Sequence, residues 1–385
     1  MRYQRDGFTR SAFGALIGFG FLNAVLGPAL PYLRAVEHIP YLAGSAHQAA
    51  FAVGGGAAGL LAARRAGGTG RAITVRLGLA AAALAGLGIG YGNQVWVTVT
   101  AALAVSFFGT SALIRLWAAL ADAHGAHRTV AMAEGEVSVS LGGIIAPLCV
   151  AAAAATVLSW RFSFVIGAGL TFVAVLASTR VRIPRALPAD GGGPDSPGIS
   201  GGPRLRPTLV VVFAIVALEF SLSFWLASYL NDSVGVEKGL AAAMVSVLYA
   251  ANLLGRLLAS RLARRVIPER LLLASVGLAL AGLPLLLLAH TAAVAAAGIA
   301  LAGAGIGATF PLASSLHLAA SPRGSDSALG QVLSVAALGQ IAGPVVVAAI
   351  AQGAGLRIGL LVLPLLAVLA AAVRVHSFRG GVLGR

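Results

Sequence analysis

Residues 208–230 read TLVVVFAIVALEFSLSFWLASYL. One carboxylate, Glu219, stands near the middle of an otherwise apolar run. A run of this kind matches the roughly 20 residues that cross about 30 Å of hydrocarbon at 1.5 Å per residue. Inside lipid only a helix or a closed barrel satisfies every peptide group, and this segment reads as a helix. Working outward, similar segments recur at 11–33, 45–63, 73–92, 96–118, 130–153, 161–180, 240–260, 270–290, 292–314, 327–350 and 356–375. The expected architecture is an all-α integral membrane protein with twelve transmembrane helices.

Composition agrees. Of 385 residues, 58% are hydrophobic and 10% charged, too little polar side chain to wrap a soluble core of this size. The 50 glycines fit close helix packing in lipid, where hydrophobicity supplies no drive between helices. A net charge of +15 raises the question of nucleic acid, but the basic residues lie in short clusters between apolar runs. That pattern excludes a nucleic-acid surface and suits loops facing an anionic leaflet. The lone Cys149 rules out an intramolecular disulfide and a thiolate metal cluster. The first apolar stretch contains Asn23, Pro28 and Pro31 and reads as the first span, not a cleaved signal.

Arginines set the orientation. With the N-terminus inside, Arg2, Arg5, Arg10, Arg64, Arg65, Arg71, Arg76, Arg128, Arg180, Arg204, Arg261, Arg264, Arg265 and Arg374 fall on the cytoplasmic side. The outer side keeps Arg34, Arg161, Lys238 and Arg357. We therefore expect a multi-pass protein of the cytoplasmic (inner) membrane with both termini cytoplasmic.

The stretch 181–207 carries Pro184, Pro188, Pro194, Pro197, Pro203 and Pro207 around a Gly-rich centre and reads as a flexible cytoplasmic linker. It divides an N-terminal six-helix bundle (1–180) from a C-terminal bundle with a short tail (208–385). The halves echo each other. Gly59-Leu-Leu-Ala-Ala-Arg64 is answered by Gly255-Arg-Leu-Leu-Ala-Ser-Arg261, and Leu141-Gly-Gly143-Ile-Ile-Ala-Pro147 by Leu338-Gly339-Gln-Ile-Ala-Gly-Pro344. Two matches in the same order point to two pseudo-symmetric bundles.

On these motifs the chain resembles the major facilitator superfamily over nearly its whole length. Gly143 with Pro147, and Gly339 with Pro344, look like the family's glycine-proline helix motif in spans five and eleven. Gly59 to Arg71 looks like its loop between spans two and three, except that the usual acidic residue is missing and Ala63 or its neighbour takes its place. Glu219, Trp225 and Tyr229, followed by Gly255-Arg256, also resemble the branch of fucose-type sugar/proton symporters. The resemblance implies two six-helix halves that rock around a central cavity, with no bound cofactor and no ATP hydrolysis. Consistently, no Gly-x-x-x-x-Gly-Lys-Ser/Thr loop is present.

Glu219 is the sharpest candidate. An isolated charge at mid-span costs roughly 2.5–3.5 kcal/mol even on the gentler insertion scale. A coupled proton or a cationic solute removes that cost; so does a neutral role fastening two helices. Asn23 occupies the matching depth in span one and can orient a polar solute or bond a neighbouring helix. Trp225 and Tyr229 offer surfaces for a solute, although Tyr229 also suits an interfacial anchor. Asn252, Gln331 and Gln340 are further recognition candidates, and Tyr32, Trp117 and Tyr249 weaker ones.

A charge network is expected near the cytoplasmic face. Arg115 can pair with Glu134 or Glu136, only one of which faces it because a spacing of two sends them to different faces. Asp122, Arg256, Arg261 and Asp326 fit the same gating layer, or ordinary topology and capping. His124 and His127, in an expected loop, supply too few ligands for a metal.

The expected activity is secondary active transport of a small solute, driven by protons, by a monomer embedded in the lipid bilayer. Efflux of amphipathic compounds is the competing transport reading. A membrane enzyme or sensor belongs to another class and would want clustered His, Asp and Glu at one face, or a soluble domain.

Overall fold

A computed structural model describes residues 4–64, 70–184, 206–321 and 325–382, with side chains at 4–62, 70–184, 207–321 and 328–376. The linker expected at 181–207 therefore lies almost wholly outside the described residues, as do the centre of the 59–71 loop and the side chains of Ala63 and Asp326. Among the described residues every regular element is helical. The chain divides into two compact units, one of Met1–Ile39 with Ala46–Pro194, the other of Pro40–Ser45 with Asp195–Arg385.

The first half of the chain forms α1 (Gly7–Ala24), α2 (Leu26–Glu37), α3 (Tyr41–Arg64), α4 (Arg71–Tyr91), α5 (Val95–His124), α6 (Arg128–Ala154) and α7 (Phe162–Thr179). The second half forms α8 (Arg206–Tyr229), α9 (Lys238–Leu262), α10 (Pro268–Leu287), α11 (Ala292–Ile306), α12 (Thr309–Ala320), α13 (Ser325–Ala354), the single turn α14 (Leu356–Gly359) and α15 (Val362–Val382). Ten segments among the described residues are long and apolar enough to cross a membrane. One of them, Val95–Ala154, is 60 residues long and contains both α5 and α6, and α3 ends beside residues that are not described.

Three boundaries differ from the sequence expectation. The first span extends over Gly7–Glu37 and breaks at Val25, ahead of Pro28 and Pro31. The tenth runs through Ala320 but breaks at Gly307 and Ala308, which leaves Pro311 in the first turn of α12. The loop expected after span four shrinks to a 3-10 turn, Gly125–His127, so Asp122 and His124 ride on the last turn of α5. Helices of 30 and 27 residues, α5 and α6, exceed the hydrocarbon thickness, so polar residues can continue the helix beyond it.

Local chemistry sets the ends. Asp6 caps α1, its Oδ1 accepting from the Thr9 amide at 2.8 Å and the Thr9 hydroxyl at 2.6 Å. Glu237 caps α9 by accepting from the amides of Gly239 and Leu240 at 2.8 and 3.0 Å, and these bonds hold its carboxyl below the ordinary value. At Asp6 burial alone would push the carboxyl up; the Thr9 bonds, with His124 and Arg10, outweigh it and hold the group below its ordinary 3.8. A lowered folded value means this contribution is complete above the ordinary range and disappears as pH falls through the folded value. Asp6→Ala is expected to destabilise the first unit by about 1 kcal/mol at neutral pH, with the deficit vanishing in strong acid. Thermal unfolding in detergent at the two pH values checks this.

Packing depends on missing side chains. A Cβ built on Gly142 of α6 would sit 2.1 Å from the Ile17 carbonyl oxygen of α1, and one on Gly20 of α1 would sit 2.2 Å from Val139 O of α6. In the second unit, a Cβ on Gly343 of α13 would lie 2.5 Å from Ala217 O of α8, and one on Gly255 of α9 would lie 2.0 Å from Ala304 O of α11. Backbone contact this close is the packing that holds helices together in lipid. The first-unit core gathers Phe8, Leu16, Leu79, Leu116 and Leu120. Large apolar side chains such as Leu77 on α4, Val173 and Leu176 on α7 and Leu365 on α15 are more than half exposed, as suits surfaces solvated by lipid.

Candidate transport site

In the second unit, Glu219 lies half-buried on α8. Two residues of α9, Arg256 and Tyr249, come within electrostatic reach of it. Tyr249, Asn252 and Arg256 follow each other at helical spacing and so share one face of α9. Asn252 is 7% exposed and its Oδ1 has no hydrogen-bond partner.

The break between α11 and α12 completes this corner. There the helix ladder is interrupted, and the Gly307 carbonyl accepts from Arg256 Nε at 3.0 Å. Gly307 must be a glycine for close approach, because a Cβ would fall 2.1 Å from the Asn252 carbonyl oxygen. Irregular backbone at membrane depth is tolerated where protein satisfies it or where it lines a cavity. The result is a polar corner of Glu219, Tyr249, Asn252, Arg256 and the Gly307 carbonyl. It offers a carboxylate that can take a proton, a guanidinium that attracts anions, and amide and phenol groups able to bond a solute.

Several sequence expectations are redistributed. Arg256, expected in the gating layer, belongs to the surroundings of Glu219. Tyr249, a weaker candidate, is drawn into the same corner. Trp225 and Tyr229 are not open to a solute in this structure: both are 0% exposed. Trp225 Nε1 donates to Pro344 O at 3.0 Å and fastens α8 to α13. Tyr229 Oη reaches Leu286 O and Leu287 O at 3.0 and 3.1 Å, at the end of α10. Their polar tips are used in packing, the other common role of a buried amphipathic ring. Tyr229→Phe is expected to cost about 1 kcal/mol, read as a lower melting temperature in detergent.

Gln331 is 2% exposed on α13, with Oε1 lacking a hydrogen-bond partner, and lies beside His317 of α12. Gln340 is half-buried, one turn before Pro344. Asn23 is exposed on the last turn of α1, beside the Val25 break. Gly143, Pro147, Gly339 and Pro344 are buried, but the tightest helix contact in the first unit is made by Gly142.

At the arginine-rich end of the first unit, Arg5 grips both oxygens of Glu134, at 2.6 and 2.9 Å. Arg71 pairs with Asp122 at 2.8 Å. Arg5 is thus a Glu134 partner that the sequence did not suggest. Arg115 is half-buried on α5, while Glu136 and Arg261 are exposed. Two further pairs have no sequence signal of their own. Thr9 Oγ1 and His124 Nε2 lie 2.8 Å apart, joining the start of α1 to the end of α5. Thr208 Oγ1 and His317 Nδ1 lie 2.6 Å apart, joining the start of α8 to the end of α12. The same hydroxyl–imidazole clasp in corresponding places strengthens the internal repeat; matching helix starts and ends between the halves would have revealed it.

A sequence profile of the Major Facilitator Superfamily matches residues 12–344. No curated protein matches the chain significantly. Solved structures do. A bacterial homolog to the human lysosomal transporter Spinster, inward-facing and occupied, superposes with a TM-score of 0.78 at 16% identity, covering 97% of this chain and 96% of its own. The nucleoside transporter NupG gives 0.75 at 13% identity, with 97% and 99% covered. The human organic anion transporter MFSD10 gives 0.69 at 16% identity, with 97% and 100% covered. Identities this low speak for the fold, while the profile match spans most of the sequence: this chain belongs to the major facilitator superfamily and is a multi-pass, non-enzymatic membrane transporter.

Proposed function

We propose that the chain is a proton-coupled secondary transporter that moves a small polar or anionic solute by alternating access. It would sit as a monomer in the cytoplasmic membrane with both termini inside. The observation that carries this reading is the corner around Glu219, where one carboxylate at mid-span lies within electrostatic reach of Arg256 and Tyr249, on the face of α9 that also carries the buried Asn252. A carboxylate at such depth is costly and, in membrane proteins, marks ion and proton pathways. The adjacent guanidinium adds an anchor for a carboxylate or phosphate on the solute. Two of the structural neighbours are nucleoside and organic anion transporters, which indicates the solutes to try first. The charge pairs Arg5–Glu134 and Arg71–Asp122, together with Arg115 on α5 and Glu136 on α6, are our candidates for the inner gate.

The test is a proteoliposome screen under an imposed pH gradient, with nucleosides, organic anions, sugars and a lipophilic cation as the panel. At least one polar or anionic member should accumulate with the gradient and stop when a protonophore collapses it. Accumulation of the lipophilic cation alone would favour drug efflux instead, and movement indifferent to the gradient would remove the proton from the mechanism.

A further inference from the structure

The first unit holds a second polar centre, at the end opposite its Arg5–Glu134 pair, which the transport reading does not use. Three helices contribute to it. Glu37 ends α2, His47 stands in the second turn of α3, and Thr98 lies in the first turn of α5. His47 and Thr98 are both 0% exposed. His47 Nε2 lies 2.9 Å from Thr98 Oγ1, and Thr98 Oγ1 lies 2.8 Å from Glu37 Oε1. The single hydroxyl proton goes to the charged and closer acceptor, Glu37, rather than to Val95 O at 3.1 Å. His47 then donates Nε2–H to the hydroxyl oxygen. The other carboxylate oxygen, Glu37 Oε2, is buried without a hydrogen-bond partner.

Two basic groups flank this chain of bonds. Arg161, just ahead of α7, is within electrostatic reach of Glu37. It is held by Gly90 O at 2.8 Å, by Asn93 Oδ1 at 3.4 Å and by the face of Trp160, 5.3 Å from the ring centroid. Arg34 stands one turn earlier on α2 itself. A purely structural tie needs neither an imidazole nor a carboxylate with one oxygen buried and unbonded. A group that takes up and passes on a proton uses both.

We propose that Glu37, Thr98 and His47 form a proton-binding site in which one proton is shared between imidazole and carboxylate through the threonine hydroxyl. Starting from imidazolium, the His47 Nε2–H bond breaks as a new Thr98 Oγ1–H bond forms. The former Oγ1–H bond breaks as Glu37 Oε1–H forms. The imidazole ends neutral, the carboxylate ends as carboxylic acid, and the net charge of the three groups stays zero. Because the two titrating groups share one relay, each sets the other's proton affinity.

The test is an infrared titration of the purified full chain in detergent, from about pH 4 to about pH 9. A carboxyl band that Glu37→Gln removes should titrate in this range. His47→Gln and Thr98→Val should each displace its midpoint by about one pH unit or more, a tenfold change in proton affinity. Thr98→Ser, which keeps the hydroxyl, should retain the wild-type midpoint. The proposal is overturned if Glu37→Gln removes no titrating band, if Thr98→Val leaves the midpoint in place, or if Thr98→Ser moves it as far as Thr98→Val. Should Glu37→Gln not fold, the difference between the Thr98→Val and Thr98→Ser titrations carries the test by itself. The measurement needs no solute, so its failure leaves the transport reading standing.

Discussion

Glu219→Gln is expected to abolish gradient-driven accumulation while leaving a folded chain that still exchanges solute downhill. The amide has the shape of a protonated carboxyl and can neither release nor take up the proton. One pH unit across the membrane is worth about 1.4 kcal/mol per coupled proton, roughly tenfold in solute ratio. The variant should therefore bring a tenfold accumulation back to a ratio of about one. Stability should suffer little, because Arg256 keeps its bond to the Gly307 carbonyl at 3.0 Å and is not stranded by the loss of the carboxylate. The assay is uptake in proteoliposomes with and without a pH gradient, beside counterflow of labelled solute at equal pH. Full accumulation in the variant would place the coupling proton elsewhere.

The sequence made the coarse architecture legible because lipid is a strict solvent. Backbone groups must be satisfied within each helix, so hydropathy runs, arginine clusters and the doubled Gly-Pro motif carry the fold between them. Helix breaks were harder to read. Val25 and Gly307 sit in runs as apolar as their surroundings, and a broken ladder at Gly307 becomes visible only when Arg256 is found bonded to its carbonyl. Glu219 stood out as a lone carboxylate, but its partners did not. Tyr249 and Arg256 lie on another helix, and nothing along the chain says which face of α9 turns toward α8. Trp225 and Tyr229 are ambiguous along the chain for a related reason. An aromatic ring with a polar tip serves a cavity or a helix seam equally well, and the bonds to Pro344 and to Leu286 and Leu287 are visible only in the fold. Glu37, His47 and Thr98 carry no signal along the chain because they lie near span ends, where polar residues are ordinary.

Substitution along the helix seams should give the most severe effect on folding, and the order of severity is set by geometry. A Cβ on Gly142 meets Ile17 O at 2.1 Å and the Phe21 amide nitrogen at 2.6 Å, both backbone atoms that no rotamer change can move. On Gly343 the nearest atom is Ala217 O at 2.5 Å, and on Gly339 it is Phe213 O at 2.9 Å. Gly59, although it opens the repeated loop motif, has nothing within 4 Å. Forcing two backbones apart costs about 1–3 kcal/mol for a single added methyl and more for a branched side chain. That is a large share of a marginal folding free energy. We expect Gly142→Leu to yield almost no monodisperse protein, Gly142→Ala to lower the melting temperature most among the alanine variants, and Gly343→Ala and Gly339→Ala to follow in that order. Gly59→Ala should be neutral or slightly stabilising, since alanine is the better helix former. Size-exclusion profiles and thermal unfolding in detergent measure the series. If Gly59→Ala were as damaging as Gly142→Ala, close helix approach would not be what the repeated glycines provide, and the duplicated halves would need a different physical basis.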